Sequence, residues 1–269
     1  MLQAADIVFG YPRRPPVLHG VTLDVPTGGF VGILGPNGSG KTTLLRALAG
    51  VVQPSRGQVR LDAVNLADIP KRALAMRMAV VPQETHLAFD YTALEVVMMG
   101  RYPHLATFEI EGPRDFAIAR EAMTATGTLE LQDRQFDTLS GGEKQRVIVA
   151  AALAQISSAE GTGILLLDEP TVALDLAYQL ELGELLRERQ RHVAITIAVS
   201  THDLNFAASL CRTLVLLKDG KVLAAGATDD VLTPEHIRLL YGVDADVTRH
   251  PSGRIVVVPV RRTLARAIQ

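Results

Sequence analysis

Apolar residues along this chain follow two spacings. Over the first sixty residues they fall in short runs broken by Pro, Gly and Thr. That pattern predicts strands at Ala5–Phe9, Val17–Val25, Phe30–Leu34 and Gly57–Asp62. Phe30–Leu34, FVGIL, contains no polar side chain, as expected of a strand covered on both faces. It runs directly into GPNGSGKT, Gly35 to Thr42. The following TTLLRALAG has helical spacing and stops at Gly50. Helical spacing returns at Lys71–Met78 and, after a short apolar strand at Ala79–Val81, at Thr92–Gly100, Asp115–Thr126 and Glu143–Gln155. Two more buried strands, Ile164–Leu167 and Ala194–Ser200, flank a helix at Leu176–Gln190. Thr213–Lys218 and Lys221–Ala225 are joined by Asp219-Gly220, a pair suited to a two-residue hairpin turn.

Buried strands alternating with helices predict an α/β fold on a mostly parallel sheet, with a β-rich N-terminal part and a helical block inserted between two β-rich halves. Residues 1–83 and 160–228 form the expected core with its β subdomain. Residues 84–159 form the helical insert, and 229–269 a C-terminal extension. The basic tail from Arg261, RRTLARAIQ, is weakly patterned and is expected to be frayed or loosely docked. Ligands of such sheets bind beyond the carboxyl ends of the strands. The glycine loop, Asp168-Glu169 and His202 all sit at such ends, so they are expected to share one crevice.

Composition narrows the function. Apolar residues make up 48% of the 269 positions, ample for a core. A net charge of −2 argues against a nucleic-acid binder with a broad basic surface. The single cysteine, Cys211, excludes an internal disulfide and a thiolate metal cage. The histidines at 19, 86, 104, 192, 236 and 250 show no metal-ligand spacing. MLQAADIVFGYP has neither a basic n-region nor a long apolar stretch, so no signal peptide is expected, and no run reaches the ~18 apolar residues of a membrane span.

The candidate chemistry begins with GPNGSGKT, which fits G-x-x-x-x-G-K-[ST] between a strand and a helix. Backbone amides over Asn37, Gly38, Ser39 and Gly40, continuing to Thr43, would wrap phosphate oxygens. Lys41 would place a charge on the outer phosphates, and Thr42 would offer a hydroxyl to Mg²⁺. In ILLLDE, Asp168 would order the Mg²⁺ shell, and Glu169 would act as general base on, or positioner of, the attacking water. His202 would sense the terminal phosphate. Gln83 would reach Mg²⁺ and the water, and Tyr11 would stack on adenine. A second anion-binding turn, LSGGE at Leu139–Glu143, precedes a helix about a hundred residues after the first.

These motifs, in this order and over nearly the whole chain, resemble the ATP-binding cassette family, the ATPase subunits of ABC transporters. The resemblance implies a P-loop ATPase core with an N-terminal antiparallel β subdomain and an inserted α-helical subdomain, ATP and Mg²⁺ as ligands, and a homodimer of cassettes paired head to tail. Ser140, Gly141, Gly142 and Glu143 would then meet the ATP of the partner subunit, which explains two phosphate turns in one chain. Asp175 would lie in the loop crossing the dimer interface. The family commonly has Ser where this chain has Val172, which implies tuned coupling rather than lost activity.

The resemblance further implies a separate transmembrane permease, an extracytoplasmic substrate-binding protein, and a place on the cytoplasmic face of the bacterial inner membrane. Leu87, Phe89, Tyr91, Met98, Met99 and Tyr102 are candidates for the permease groove, while Val96 and Val97 are expected in the core. GRYPH and the late YGVDADV…GRIVVVP resemble cassettes of importers for iron chelates, haem and vitamin B12, and ETHLAFDYTALEVVMMGRYPHL looks closest to the vitamin B12 and ferric siderophore branch, with haem as the alternative. The rival from another class is a soluble ABC ATPase of the cluster-assembly type.

Overall fold

The computed structural model describes residues 1–269 apart from 86, 158–161, 173, 194 and 264–269, and the side chains of 192 and 193. The chain opens with β1 (Leu2–Gly10), β2 (Pro16–Val25), β3 (Phe30–Leu34), α1 (Lys41–Leu48), β4 (Arg56–Leu61) and β5 (Val64–Asn65). Then come α2 (Lys71–Arg77), β6 (Met78–Val81), α3 (Ala93–Met99), α4 (Pro113–Ala125) and α5 (Gly141–Ile156). The second half holds β7 (Ile164–Asp168), α6 (Leu176–Val193), β8 (Thr196–Thr201), α7 (Leu204–Leu210), β9 (Thr213–Lys218) and β10 (Lys221–Ala227). It ends with α8 (Thr228–Val231), α9 (Pro234–Tyr241), β11 (Val243–Arg249) and β12 (Ile255–Arg262).

Among the described residues these strands form an antiparallel sheet β2-β1-β4-β5, a sheet β10-β9-β3-β8-β7-β6 and the hairpin β11-β12. In the second sheet only β10 runs antiparallel to its neighbour. Asp219 and Gly220, at φ 48° and 71°, make the expected turn between β9 and β10. β1 begins three residues before its predicted start because Leu2 is paired on both sides, with Val25 and with Leu61.

The central strands feed two cores. Phe30, Leu34, Leu165, Leu167, Ile197, Val199, Leu214 and Leu216 join the larger one, with α5, α6 and α7. Val31, Ile33, Ile164, Leu166, Ala198, Val215 and Leu217 join the other, closed by α1 and the antiparallel sheet through Leu44, Leu48, Leu2, Ile7 and Val21. Alternate residues point to opposite faces, and both faces are covered. Polar side chains are therefore absent from β3 and from Ile164–Leu167, where each large apolar side chain buried contributes about 1.5–3 kcal/mol. This explains why β3 and the run leading to Asp168 show no alternation.

The helical insert is tied down by polar contacts as well as apolar ones. Gly100, ending α3, lies so close to α5 that a Cβ there would stand 2.2 Å from the Ala151 carbonyl. Arg101, only 3% exposed, donates to Ala154 O (2.6 Å), Ser157 Oγ (3.2 Å) and Asp115 Oδ1 (3.1 Å). Arg72 of α2 donates to Pro103 O at 2.8 Å, and a His104 ring nitrogen meets Gln155 O at 2.7 Å. GRYPH therefore bridges α2 and the end of α5.

Several expectations need correction. Met98 is core, 5% exposed, because its position on α3 faces α4 and α5. Leu87 and Tyr91 are partly buried against the same core, Met99 is half-buried, and Phe89 and Tyr102 remain exposed. Two exposed apolar residues that the sequence reading passed over, Phe108 (99%) and Ile110 (82%), stand in the loop before α4. The tail does not fray at Arg261: Arg261 and Arg262 pair with Asp244 and Val243 in β12, and Arg261 Nε donates to Asp244 Oδ2 at 3.1 Å. The remaining tail residues, 264–269, lie outside the described residues. α5 starts two residues early, at Gly141, because Ser140 caps it.

Candidate nucleotide site

The sheet order β3-β8-β7-β6 sets four strand ends side by side: the phosphate loop after β3, His202 after β8, Glu169 after β7 and Gln83 beyond β6. A cleft of about 530 Å³ opens there, lined by Tyr11, Asn37, Gly38, Gly40, Lys41, Thr42, Thr43, Gln83, Glu169 and His202. Arg14, Val17 and Val172 complete the lining. Among the expected loop residues, Ser39 is not part of it. Its side chain is buried at 3% exposure with no hydrogen-bond partner for Oγ, so Ser39 serves the loop through its backbone.

Lys41 is held inside the loop that carries it. Nζ donates to Gly35 O (2.8 Å) and Pro36 O (3.2 Å) and pairs with Glu169 Oε1 at 3.0 Å. Glu169 Oε2 meets His202 Nδ1 at 2.9 Å. Burial opposes ionisation of Glu169, but Lys41 and then His202 outweigh it and hold the carboxyl below the usual range. Glu169 also has a left-handed backbone, φ 46°, costing about 1–3 kcal/mol in a non-glycine residue. Its N–H is fixed by Ser200 O (3.0 Å) and Ser200 Oγ (3.1 Å), which sustain that conformation.

Ser200 also donates to Asp168 Oδ1 at 2.6 Å, and Thr42 Oγ1 donates to the same oxygen at 3.2 Å. Asp168 thus orients the Thr42 hydroxyl. Sequence reasoning missed Ser200; its only signal is a hydroxyl closing an otherwise buried apolar run. Tyr11 packs edge-on to Phe9 (centroids 5.1 Å apart, 85°), with its hydroxyl 3.4 Å from Thr43 Oγ1 and from Arg46 Nη1. The ring is supported from behind and lines the cleft.

The second turn stands apart. Ser140, Gly141 and Gly142 do not line the cleft. Ser140 Oγ accepts from Glu143 N (3.3 Å) while Ser140 N donates to Glu143 Oε2 (2.8 Å), a capping box. Glu143 therefore shapes its own helix start, and Ser140 and Gly141 are exposed beside the amides of the first turn. Gly142 backs onto α6, where a Cβ would meet Tyr178 Cδ2 at 3.3 Å. Asp175 caps α6, accepting from Tyr178 N at 3.0 Å, and is itself exposed. Thr171 is buried, whereas Val172 is 54% exposed.

A phosphate loop backed by a strand-end Asp-Glu pair and a neighbouring histidine defines a P-loop nucleotide hydrolase, here with a second exposed, capped helix start at Ser140. The chain belongs to the ABC transporter family, whose family model matches residues 18–172, and it is an ATPase of that family. It is 47% identical over 263 residues to a hemin import ATP-binding protein, HmuV, of Gloeobacter violaceus, covering 97% of this chain and 94% of that one. It is 38% identical over 263 residues to the ferric enterobactin transport ATP-binding protein FepC of Escherichia coli, covering 97% and 95%. A solved chain of a transporter described as metal-chelate type, inward-facing, superposes with TM-score 0.82 at 28% identity over 98% of each chain. Among the described residues no helix is long and apolar enough to cross a membrane.

Proposed function

We propose that this chain is the ATP-hydrolysing subunit of a haem importer, with ferric siderophore and cobalamin as the next cargoes. The observation that carries the reading is the 47% identity, across 97% of the chain, to a hemin import ATP-binding protein. Haem thereby moves ahead of the vitamin B12 and siderophore branch favoured by the motifs alone.

The proposed chemistry starts from the shared cation. Entering phosphates compete with Glu169 for Lys41, and the 3.0 Å ion pair is exchanged for Lys41–phosphate contacts. Glu169 then keeps His202 at one oxygen and offers the other to the attacking water. Water oxygen bonds to the terminal phosphorus, the bond to the bridging oxygen breaks, and Glu169 takes the water proton. His202, half exposed, is placed to meet the phosphate edge. Thr42, Asp168 and Gln83 present oxygen donors only, which suits Mg²⁺. Thr42 and Gln83 would hold it while Asp168 fixes Thr42, and the ion would supply charge neutralisation at the phosphates.

Ser140, Gly141 and Gly142 complete the site of a second cassette, since they lie outside their own cleft while Ser140 and Gly141 are exposed. ATP then favours a closed homodimer, and hydrolysis reopens it. The motion passes through the helical insert to a separate permease on the cytoplasmic face of the inner membrane, supplied by an extracytoplasmic binding protein. Phe89 and Tyr102 are the exposed members of the proposed docking face. Ser140→Arg is expected to leave ATP binding by the monomer within about twofold while hydrolysis falls at least ~100-fold. Equal loss of binding, by equilibrium titration, would mean the turn serves its own subunit.

The cargo test is uptake of labelled hemin, a ferric siderophore and cobalamin in cells lacking this chain, restored with wild type or Lys41→Ala. Hemin uptake restored by wild type alone is the expected result. Restoration of another cargo reassigns the importer. No change in any uptake, with the chain absent from the membrane fraction, leaves the soluble ABC ATPase.

A further inference from the structure

Helices α6 and α7 and the C-terminal hairpin enclose two adjoining cavities that share no lining residue with the nucleotide cleft. One, of about 520 Å³, is an apolar groove walled by Leu176, Leu180, Phe206, Ile255 and Val256. The other, of about 420 Å³, is charged and lined by Arg187, Arg191, Arg254, Glu184 and Glu188. Arg187, Ser209 and Arg254 line both. The groove follows from how its walls meet. Gly183 lets α6 approach α7, since a Cβ there would stand 3.3 Å from Leu210 Cδ2. The Asn205 side chain clamps the β12 backbone, donating to Val257 O (3.1 Å) and accepting from Val257 N (2.8 Å). Phe206 and Ile255 are nearly buried, whereas Leu176 and Leu180, one turn apart on α6, are 78% and 64% exposed.

The charged end gives the groove its polarity. At the end of β11, Arg249 pairs with Asp229 at 2.9 Å. Among the described residues, by contrast, Arg187, Arg191 and Arg254 form no ion pair. Arg187 Nη2 donates to Ser209 O at 2.6 Å. That bond fixes the guanidinium where the two cavities join, and its other N–H groups have no partner among the described residues. Three guanidiniums against two carboxylates leave this lining with one excess positive charge. Arginine presents a planar fork that matches a carboxylate. Apolar walls with a few fixed polar groups at one end, in a cavity of several hundred Å³, are the usual make-up of a small-molecule site.

We propose that this groove binds an apolar carboxylate, with the apolar body along Leu176, Leu180 and Val256 and the carboxylate on Arg187 and Arg254. A porphyrin dicarboxylate and a long-chain fatty acid share that chemistry. Asp203 and Asn205, in the same lining, follow closely on His202, so an occupant lies beside the segment that carries this histidine. The site is independent of the transported cargo, and no outcome of the uptake experiment bears on it.

The test is calorimetric titration of the full chain with protoporphyrin IX and with myristate, each beside its methyl ester. Saturable one-to-one binding of at least one acid is expected, at least ~10-fold weaker for its ester, the scale of a lost charge-assisted hydrogen bond. The acid that binds identifies the source. Arg254→Gln and Leu180→Asp are each expected to weaken binding at least ~10-fold while ATP affinity and Tm hold. Arg249→Gln, whose arginine pairs with Asp229 outside the lining, is expected to stay within about twofold of wild type. Equal affinity for acid and ester, or equal losses in Arg254→Gln and Arg249→Gln, would mean unspecific adsorption and overturn the proposal. No saturable binding of either acid overturns it too. So does loss of the ATP-dependent dimer when Leu180→Asp is added to Glu169→Gln, with acid binding intact, which would assign the groove to a second copy of this chain.

Discussion

Glu169→Gln is expected to bind ATP, to hydrolyse it at least ~100-fold more slowly than wild type, and to accumulate as an ATP-dependent dimer. Loss of a general base costs about 10²–10⁴-fold, and the amide keeps the shape of the carboxylate while losing its basicity. The structure adds a reason for retained binding. Glu169 competes with phosphate for Lys41 at 3.0 Å, so removing its charge frees the lysine and lowers repulsion toward the terminal phosphate. His202 Nδ1, 2.9 Å from the carboxylate, can still meet the amide. Size-exclusion chromatography with ATP and with ADP, beside a phosphate-release assay, checks all three outcomes. A variant that stays monomeric in ATP and turns over freely would sink the two-cassette site.

Lys41→Ala has two expected consequences of different origin. ATP affinity falls by about 100-fold, the scale of charge-assisted hydrogen bonds to phosphate, measured by titration calorimetry. Fold stability also falls, because Lys41 and Glu169 are 4% and 8% exposed and the variant leaves a buried carboxylate with one partner. Breaking such a pair costs about 3 kcal/mol or more, and half-exposed His202 keeps the loss near the lower figure. The sign with pH follows from the lowered pKa of Glu169. Its stabilisation is fully present above the ordinary value of 4.5 and is lost as pH falls through the folded value. The gap in Tm between wild type and Lys41→Ala should therefore be widest near neutrality and shrink below about pH 4.5. A gap independent of pH would mean the pair does not form in solution.

Much of the site was legible because its parts are local. GPNGSGKT needs its glycines, lysine and threonine at fixed spacing around one phosphate chain, and the loop forms between β3 and α1 as that spacing requires. ILLLDE ends a strand covered on both faces, so the first polar residues mark where the strand leaves the core. LSGGE carries its own capping box, Ser140 with Glu143, within four residues. Other parts lay between distant residues. Ser200 serves Asp168 and Glu169 only because β8 pairs with β7 in the register that sets Ser200 against Asp168. Ser39 and Lys41 sit two apart in one motif, yet one is folded into the wall and the other lines the cleft.

The same division explains the misplacements. Met98 and Tyr102 are near neighbours of similar apolar character, and their sequence cannot say which faces α4 and α5 and which faces solvent. Arg261 read as a loose basic end because its strand partner, Asp244, lies 17 residues away. By itself the sequence determined the strand–helix order, the buried strands and the place of the glycine loop between β3 and α1, since periodicity and motif chemistry act over a few residues. Only the tertiary structure decided that Lys41 is paired with Glu169 and that Ser200 holds the Asp168 carboxylate and the Glu169 backbone N–H. Sheet order and register bring those residues together across 31 to 128 positions, and no local pattern encodes a meeting at that range.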